Sequence, residues 1–327
     1  MNRRVPSLIS YLLLAGLASY YFTSLWFELN YEFRGAPWEA ILKGTAATPF
    51  QYRVLVPWLV NGLMALRVAG RGFVSAQALL FWIQCGSVFL LVLAFQSCLG
   101  LFFEKRLAPL FSLLLFLVLP FNYLLDRFLA IRYPTDLPAV LFFTIGLVLL
   151  YRRNWLLFYP LFIIATLNRE TSCFLSVVYL FTALGRENRR KIIIHLGAQI
   201  LLWTAIKYCL YMLYRANPGS EFFQGHIQQN LGFLMNPAAY PLFFSNLGYL
   251  WVPVLMCRRL IPDHFARRSV LVIYPYFLGM FVIGNMYELR IYGELIPLVL
   301  TALLLIVKEL LGKEITPRER GGEAGSR

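Results

Sequence analysis

The sequence predicts an all-helical, polytopic membrane protein with about ten transmembrane helices. Three observations lead to this fold class. First, 59% of the 327 residues are hydrophobic and only 14% are charged, which is too apolar a composition for a soluble core. Second, the apolar runs are continuous for about the length of a membrane-spanning helix, unlike the short alternating strands of a barrel. Third, clusters of Lys and Arg lie between these runs, as the positive-inside rule requires.

The individual helices follow from the apolar runs. The first run continues to Trp26 and is longer than the core of a signal peptide, so we predict an uncleaved helix. The predicted helices lie near residues 7–27, 75–101, 107–125, 137–151, 155–167, 172–184, 192–214, 241–257, 269–287 and 291–307. They form one helical domain over 1–307, followed by a charged cytoplasmic tail over 308–327. Both termini are predicted to be cytoplasmic.

Two apolar segments do not fit simple crossings. Residues 54–66 are too short for a full span and contain Pro57, so we place them on the outer face as an interfacial or re-entrant helix. With a short amphipathic helix at 37–43, they give the outer loop 28–74 its membrane-surface helices. Residues 155–184 must turn back near Asn168, because a single crossing would move the basic run at 186–191 to the outer side. The two halves are either short spans or a re-entrant pair.

The formal net charge of +14 does not indicate a nucleic-acid partner, because the basic clusters lie between hydrophobic runs. The five cysteines have no metal-like spacing and are interpreted as packing residues. Membrane lipid is therefore the expected partner of most of the surface.

The candidate site consists of carboxylates and arginines on the predicted outer side. Glu28 and Glu32 are four residues apart on one helix face, where they suit a base and a second carboxylate, or two ligands of a divalent ion. The alternative is that both are solvated charges at headgroup level. Arg53 precedes the second interfacial helix and is placed to meet a lipid phosphate.

Further charged stretches follow along the chain. Asp126, Arg127, Arg132 and Asp136 suit phosphate binding with a metal or a proton acceptor nearby, or else form ordinary salt bridges with Asp136 as a helix cap. Asn168, Arg169 and Glu170 interrupt a long apolar stretch, which usually marks a cavity or a bound polar ligand. Glu288 and Arg290 repeat this pattern. For these last two stretches the rival interpretation is a structural ion-pair network.

Two residues in this region keep open assignments. Lys207, inside a predicted helix, either extends towards the membrane surface or pairs with a site carboxylate. His226, in the outer loop 215–240, is given no role.

Three stretches are similar to sequences of uncharacterised bacterial membrane proteins near the GT-C class of polyprenyl-phosphate-sugar-dependent membrane glycosyltransferases. They are PFQYRVLVP (49–57), YPTD (133–136) and LNRET (167–171). The predicted arrangement along nearly the whole chain also resembles that class. It has acidic residues in the first outer loop, Arg and acidic residues in later outer loops, and basic inner loops. Members often carry an Asp-Glu or Asp-Asp pair after the first helix, where this chain has ELNYE (28–32).

The resemblance implies transfer of a sugar from a lipid-linked donor to a glycan or lipid acceptor, at the outer face of the bacterial cytoplasmic membrane. The implied roles follow. Glu28 or Glu32 is the base, Asp126 and Asp136 are alternative bases or metal ligands, Arg53, Arg132, Arg169 and Arg290 hold phosphate, and Asn168, Glu170 and Glu288 complete the substrate site. No cofactor is specified beyond a candidate divalent metal. The alternatives are a transporter or flippase of a lipid-linked or anionic solute, and a non-catalytic envelope-assembly protein.

Overall fold

The computed structural model describes residues 8–68, 75–125, 130–219 and 225–315. This part of the chain is about 78% helical. Its strands, β1 (Tyr31–Glu32) and β2 (Ile131–Arg132), are two residues long and pair in parallel. The predicted all-helical class is therefore confirmed.

The α-helices follow the predicted apolar runs. They are α1 (Leu8–Leu29), α2 (Trp38–Lys43), α3 (Leu55–Val68), α4 (Ala76–Leu99), α5 (Ala108–Ser112), α6 (Leu115–Tyr123), α7 (Asp136–Tyr151), α8 (Trp155–Asn168), α9 (Phe174–Ala183), α10 (Arg189–Tyr214), α11 (Ile227–Met235), α12 (Tyr240–Ser245), α13 (Trp251–Met256), α14 (His264–Ser269), α15 (Ile273–Ile283) and α16 (Ile296–Ile315). The main 3-10 segments are Phe50–Tyr52, Glu170–Cys173, Asn246–Tyr249 and Leu289–Leu295.

Several of these helices have the length and composition of membrane spans. In the described part, five segments are long and apolar enough to cross a bilayer: Leu8–Leu29, Ala76–Leu99, Arg189–Tyr214, His264–Ile283 and Leu289–Gly312. Their outward faces expose large apolar side chains such as Leu17, Ile193 and Leu201, which a lipid environment would cover. The helices are those of an integral membrane protein.

The predicted reversal within residues 155–184 is confirmed. Helix α8 ends at Asn168, and Arg169 is extended before the chain re-enters a helix. Trp155 at the start of α8 packs edge-to-face on Tyr179 of α9, with ring centroids 5.0 Å apart, so the two helices are antiparallel. At 1.5 Å per residue α8 is about 21 Å long, shorter than a bilayer core of about 30 Å.

Helix α7 lies at the centre of the bundle and is buried on nearly all sides. It runs between two ends of the molecule. At one end, which we name the basic end, Tyr151 packs on Phe102, and Lys308 of α16 donates a hydrogen bond to the Phe102 carbonyl at 3.2 Å. The other end, which we name the site end, holds Asp136 and the tip of the α8–α9 pair.

The predicted continuous helix 241–257 is wrong, because the chain breaks between α12 and α13. Leu247 and Gly248 adopt left-handed backbone angles, with φ of 56° and 65°. A buried amide pair stabilises the break. Asn122 Nδ2 donates a hydrogen bond to Asn246 Oδ1 at 2.6 Å, and Asn122 Oδ1 accepts one from the Leu247 N–H at 3.0 Å. These bonds satisfy groups that a straight helix would bond internally.

Smaller differences concern helix limits. The predicted helix 107–125 is divided into α5 and α6, and α16 continues to Ile315, into the segment predicted as a tail. Helix α11 lies within the predicted loop 215–240. The tail over 316–327 is outside the described residues.

Gly248 provides a test of the break. A Cβ there would meet Phe121 at 3.3 Å, and the left-handed backbone disfavours any β-branched residue. We expect Gly248→Val to lower stability by about 2 kcal/mol, measured by unfolding of the purified protein in detergent. Gly62→Val in α3, where a Cβ meets no atom within 4 Å, is the matched control. Equal stability of the two variants would contradict the broken helix.

Candidate functional site

Asp136 is the centre of the charged site, at the first residue of α7. Its side chain is completely buried. Oδ1 accepts hydrogen bonds from Arg290 Nη1 at 3.0 Å and from Arg169 Nη1 at 3.4 Å, and Oδ2 accepts the Tyr133 N–H at 3.1 Å. One carboxylate therefore joins three segments that are far apart in the sequence.

Arg169 has a second anionic partner. Its Nη1 lies 3.6 Å from Glu294 Oε1, and Glu294 also accepts a hydrogen bond from the Thr171 hydroxyl. Both Arg169 and Glu294 are buried. Glu294 ends the charged stretch that the sequence indicated from Glu288 onwards, but it was given no role there. In the structure it is the second partner of Arg169.

Glu170, next to Arg169 in the chain, faces a different pair of cations. It accepts two hydrogen bonds from Arg53, at 2.7 and 3.4 Å, and Lys207 Nζ lies 4.0 Å away. The indole N–H of Trp203 donates to the Glu170 carbonyl at 2.9 Å. Of the two alternatives for Lys207, the structure shows pairing with a site carboxylate.

These side chains form two groups of ion pairs, one around Glu170 and one around Asp136, which meet at the neighbouring residues Arg169 and Glu170 and which we name together the ion-pair network. Its members are Arg53, Asp136, Arg169, Glu170, Lys207, Glu288, Arg290 and Glu294. The four cations and four carboxylates balance in formal charge. Such balance is what permits eight ionisable groups to lie within an apolar bundle, because an unpaired buried charge is strongly destabilising.

A cavity of about 240 Å³ opens onto this network. We name it the arginine cavity. Its wall contains the charged residues Arg53, Arg169, Glu170, Lys207, Glu288 and Arg290, while Asp136 and Glu294 are not part of the lining. Four cations and two carboxylates thus face the cavity, and the two remaining carboxylates lie behind its wall. The cavity surface carries an excess of two positive charges.

Aromatic rings form a second wall of the arginine cavity. Phe50 and Tyr133 are stacked, with centroids 5.7 Å apart and an angle of 12°, and Phe33 lies 5.1 Å from Phe50. The Arg290 guanidinium lies over the Tyr133 ring at 4.1 Å, and that of Arg53 lies 5.7 Å from the same ring. Tyr133 therefore orients both arginines through cation–π contacts.

Asn168 has a structural place beside the network. It is fully buried, is not part of the cavity lining, and donates a hydrogen bond to the Thr135 carbonyl at 3.0 Å. Gln84 of α4 donates to the neighbouring Pro134 carbonyl at 2.7 Å. These bonds fix the turn before α7, and with it the position of Asp136.

The predicted acids of the first outer loop lie apart from the arginine cavity. Glu28 is exposed at the end of α1 and forms no ion pair with another described residue. Glu32, in β1, accepts the backbone N–H of Trp38 and so caps α2. Burial raises the pKa of Glu32, and nearby Arg132 opposes that rise. Asp126 is outside the described residues.

Arg132 is likewise engaged in structure. It donates to the carbonyl of Phe27 at 2.6 Å and to that of Asn30, which ties β2 to the end of α1. Glu32 and Arg132 line a separate cavity of about 20 Å³, which is room for about one water molecule. The predicted roles of Glu28, Glu32, Asp126 and Arg132 stay predictions.

The structure adds residues that the sequence did not assign to the site. Phe33, Phe50, Tyr133 and His226 all line the arginine cavity. Phe50 and Tyr133 lie in two of the stretches that carry the GT-C resemblance, so those stretches were the available signal. Among the described residues, no group of three or more His, Cys, Asp or Glu side chains is arranged to hold a metal ion.

Asp136→Asn tests whether the shared carboxylate stabilises the fold. The change leaves Arg169 with Glu294 and Arg290 with Glu288, and removes their common partner at a fully buried position. We expect a loss of about 3–5 kcal/mol in unfolding free energy. The control, Glu39→Gln, affects only an exposed pair with Lys43 and should leave the melting temperature unchanged. A wild-type melting temperature for Asp136→Asn would contradict the network.

No protein-family model, curated protein or solved structure matches the chain.

Proposed function

We propose that the protein is a GT-C-like membrane glycosyltransferase. It transfers a sugar from a polyprenyl-phosphate-linked donor to a glycan or lipid acceptor at the outer face of the bacterial cytoplasmic membrane. The observation that carries the proposal is the wall of the arginine cavity, where four cations face the interior and only two carboxylates accompany them. This charge pattern suits the polyprenyl phosphate that leaves, a monoester with up to two negative charges. The phosphodiester of the donor carries one of these charges before the transfer.

The cations account for binding of the donor phosphate and its stabilisation as a leaving group. Arg53 and Arg290 present forks of N–H donors that match phosphate oxygens, and Lys207 adds a point charge. As the bond between the sugar carbon and the phosphate oxygen breaks, negative charge develops on the phosphate. Fixed cations stabilise that charge most strongly in the transition state.

Glu288 is the proposed base for the acceptor hydroxyl. Both Glu288 and Glu170 line the cavity, but Glu170 is held by Arg53 and Lys207 together. Glu288 has one cationic partner, Arg290, and a 3.3 Å hydrogen bond from Asn285. A bound phosphate competes for Arg290 and releases Glu288. The acceptor oxygen then bonds to the sugar carbon, its proton passes to Glu288, and polyprenyl phosphate leaves with the electron pair.

The aromatic wall suits the sugar. Phe33, Phe50 and Tyr133 are neighbouring rings in the cavity lining, beside the charged residues. Apolar rings beside a few well-placed polar groups are typical of small-molecule sites. The ring surface would contact the C–H face of the sugar, while the cations hold its phosphate.

The proposed topology has ten crossings with both termini cytoplasmic. It uses the five long segments, four shorter ones (108–123, 136–151, α8 and α9) and the broken pair α12–α13. Clusters such as Arg152-Arg153 and Arg258-Arg259 lie at the basic end and support its placement in the cytoplasm. The arginine cavity then opens on the outer side.

The packing of α7 favours transfer over transport. A flippase or transporter needs a path that is alternately open to both sides. From Asp136 towards the basic end, α7 carries Leu137, Val140 and Leu147, each at most 2% exposed. The centre of the bundle between the two ends is thus filled with apolar side chains.

The direct test is to incubate purified protein with a panel of polyprenyl-phosphate sugars and to detect the released polyprenyl phosphate. We expect release from at least one donor, and a decrease of at least about 100-fold in Glu288→Gln because the proton acceptor is lost. Glu39→Gln, which removes a carboxylate from the exposed surface of α2, is the control and should keep full activity.

The outcomes separate the assignments. Loss of activity in Glu28→Gln or Glu32→Gln, with full activity in Glu288→Gln, would return the base to the first outer loop, as the sequence alone predicted. No release from any donor by folded protein, together with uptake of a lipid-linked substrate in vesicles, would replace the enzyme by a transporter.

A further inference from the structure

A second cavity, of about 800 Å³, lies at the opposite end of the bundle from the arginine cavity. We name it the basic cavity. It is formed by the start of α8, the segment after α9, the start of α10 and the segment before α14. Its wall includes Arg153, Arg186, Glu187, Lys191, His195 and Asp263. None of these residues takes part in the proposed sugar transfer.

The carboxylates of the basic cavity are already engaged. Glu187 pairs with Arg153 at 2.9 Å and accepts a hydrogen bond from the Tyr179 hydroxyl at 3.1 Å. Asp263 accepts the Ala266 N–H at 2.8 Å as the cap of α14. Arg186 and Lys191 are exposed and form no ion pair with another described residue. The cavity therefore offers cations to an external anion.

A neighbouring surface adds more positive charge. Arg258, Arg259, Arg267 and Arg268 surround a cleft that shares His264 with the basic cavity, and no carboxylate is part of the cleft lining. An anion in the basic cavity is therefore also attracted by this group of arginines.

The wall of the basic cavity is more ordered than the positive-inside rule requires. Arg153 adopts a left-handed backbone, with φ of 52°, which is unfavourable for a residue with a side chain. Its guanidinium lies over the Tyr179 ring at 5.4 Å. The rule would be met by any exposed arginine in this loop, whereas this arginine is held against the cavity by a carboxylate and a ring.

Apolar surface begins directly beside the cavity. Trp155 stacks on His195 at 3.8 Å, and both rings line the cavity. The next residue of α8, Leu156, is 84% exposed, and Ile193 of α10 is 69% exposed. Along the start of α8, the cation Arg153, the ring of Trp155 and the exposed Leu156 follow one another, and on α10 the cation Lys191 is followed by the exposed Ile193. This is the order of chemistry along a phospholipid, from headgroup to acyl chains.

We infer that the basic cavity binds the phosphate headgroup of an anionic phospholipid, with its acyl chains along Leu156 and Ile193. Arg186 and Lys191 contact the phosphate, and Arg153 forms the fixed part of the wall. Basic pockets between transmembrane helices at a membrane surface recognise anionic headgroups in this way. The inference goes beyond the proposed sugar transfer and does not depend on it.

The test is a binding titration of the detergent-purified protein by native mass spectrometry. Phosphatidylglycerol is compared with phosphatidylethanolamine, and with glycerol phosphate as the soluble headgroup alone. We expect phosphatidylglycerol to bind most tightly. The double variant Arg186→Gln/Lys191→Gln keeps the Arg153–Glu187 pair and should weaken that binding by about 25-fold, since each of the two basic residues contributes about 5-fold near a membrane surface.

The double variant Lys105→Gln/Arg106→Gln is the matched control. It removes two exposed cations from the loop after α4, which lines neither the basic cavity nor the neighbouring arginine cleft. It should leave lipid binding unchanged. Equal weakening in both double variants would show a diffuse charge effect and overturn the site. Equal affinity for the two lipids would also overturn it, as would glycerol phosphate binding as tightly as phosphatidylglycerol.

Discussion

The buried carboxylate of Asp136 is the constraint on which the site end of the molecule depends. A charge at the centre of an apolar bundle needs partners, and here the partners come from two distant segments. Arg169 reaches it from the tip of the α8–α9 pair, and Arg290 from the 3-10 segment before α16. The carboxylate therefore fixes where α8 stops and where α16 begins, and both positions define the arginine cavity.

The cavity is positively charged because some carboxylates of the network do not line its wall. The four cations and four carboxylates of the network balance, so these eight side chains together add no net formal charge to the site. Two of its carboxylates, Asp136 and Glu294, are behind the wall, and the cations are in front of them. The rear carboxylates hold the arginines in place while the front surface stays positive. An anionic ligand can then bind by rearranging the outer pairs, Arg53–Glu170 and Arg290–Glu288, without disturbing the inner ones.

Part of this organisation follows from the sequence. The basic run at 186–191 predicted a reversal of the chain near Asn168. Arg169 and Glu170 within a long apolar stretch predicted a polar site, because charges in such a position require a cavity or partners. The structure brings six of the residues named from the sequence close together, which agrees with that expectation: Arg53, Asp136, Arg169, Glu170, Glu288 and Arg290. The rival interpretation, a structural ion-pair network, describes the inner pairs, since Asp136 has no contact with the cavity.

Other features depend on contacts that no local pattern reveals. The spacing of Glu28 and Glu32 indicated a shared helix face, but α1 ends at Leu29, so Glu28 stays exposed and Glu32 turns to cap α2. The break at Gly248 lies in a run that reads as one apolar helix, and it is stabilised by Asn122 from another segment. Tertiary hydrogen bonds decided both cases.

We propose that the arginine cavity receives the phosphate of a polyprenyl-linked molecule. The most direct test of this proposal is an electron cryo-microscopy structure of the protein in lipid nanodiscs with added polyprenyl phosphate. We expect phosphate density within hydrogen-bond distance of Arg53 and Arg290, and we expect Glu288 to be released from Arg290. An occupied phosphate site elsewhere on the protein, with the arginine cavity empty and its ion pairs intact, would contradict it.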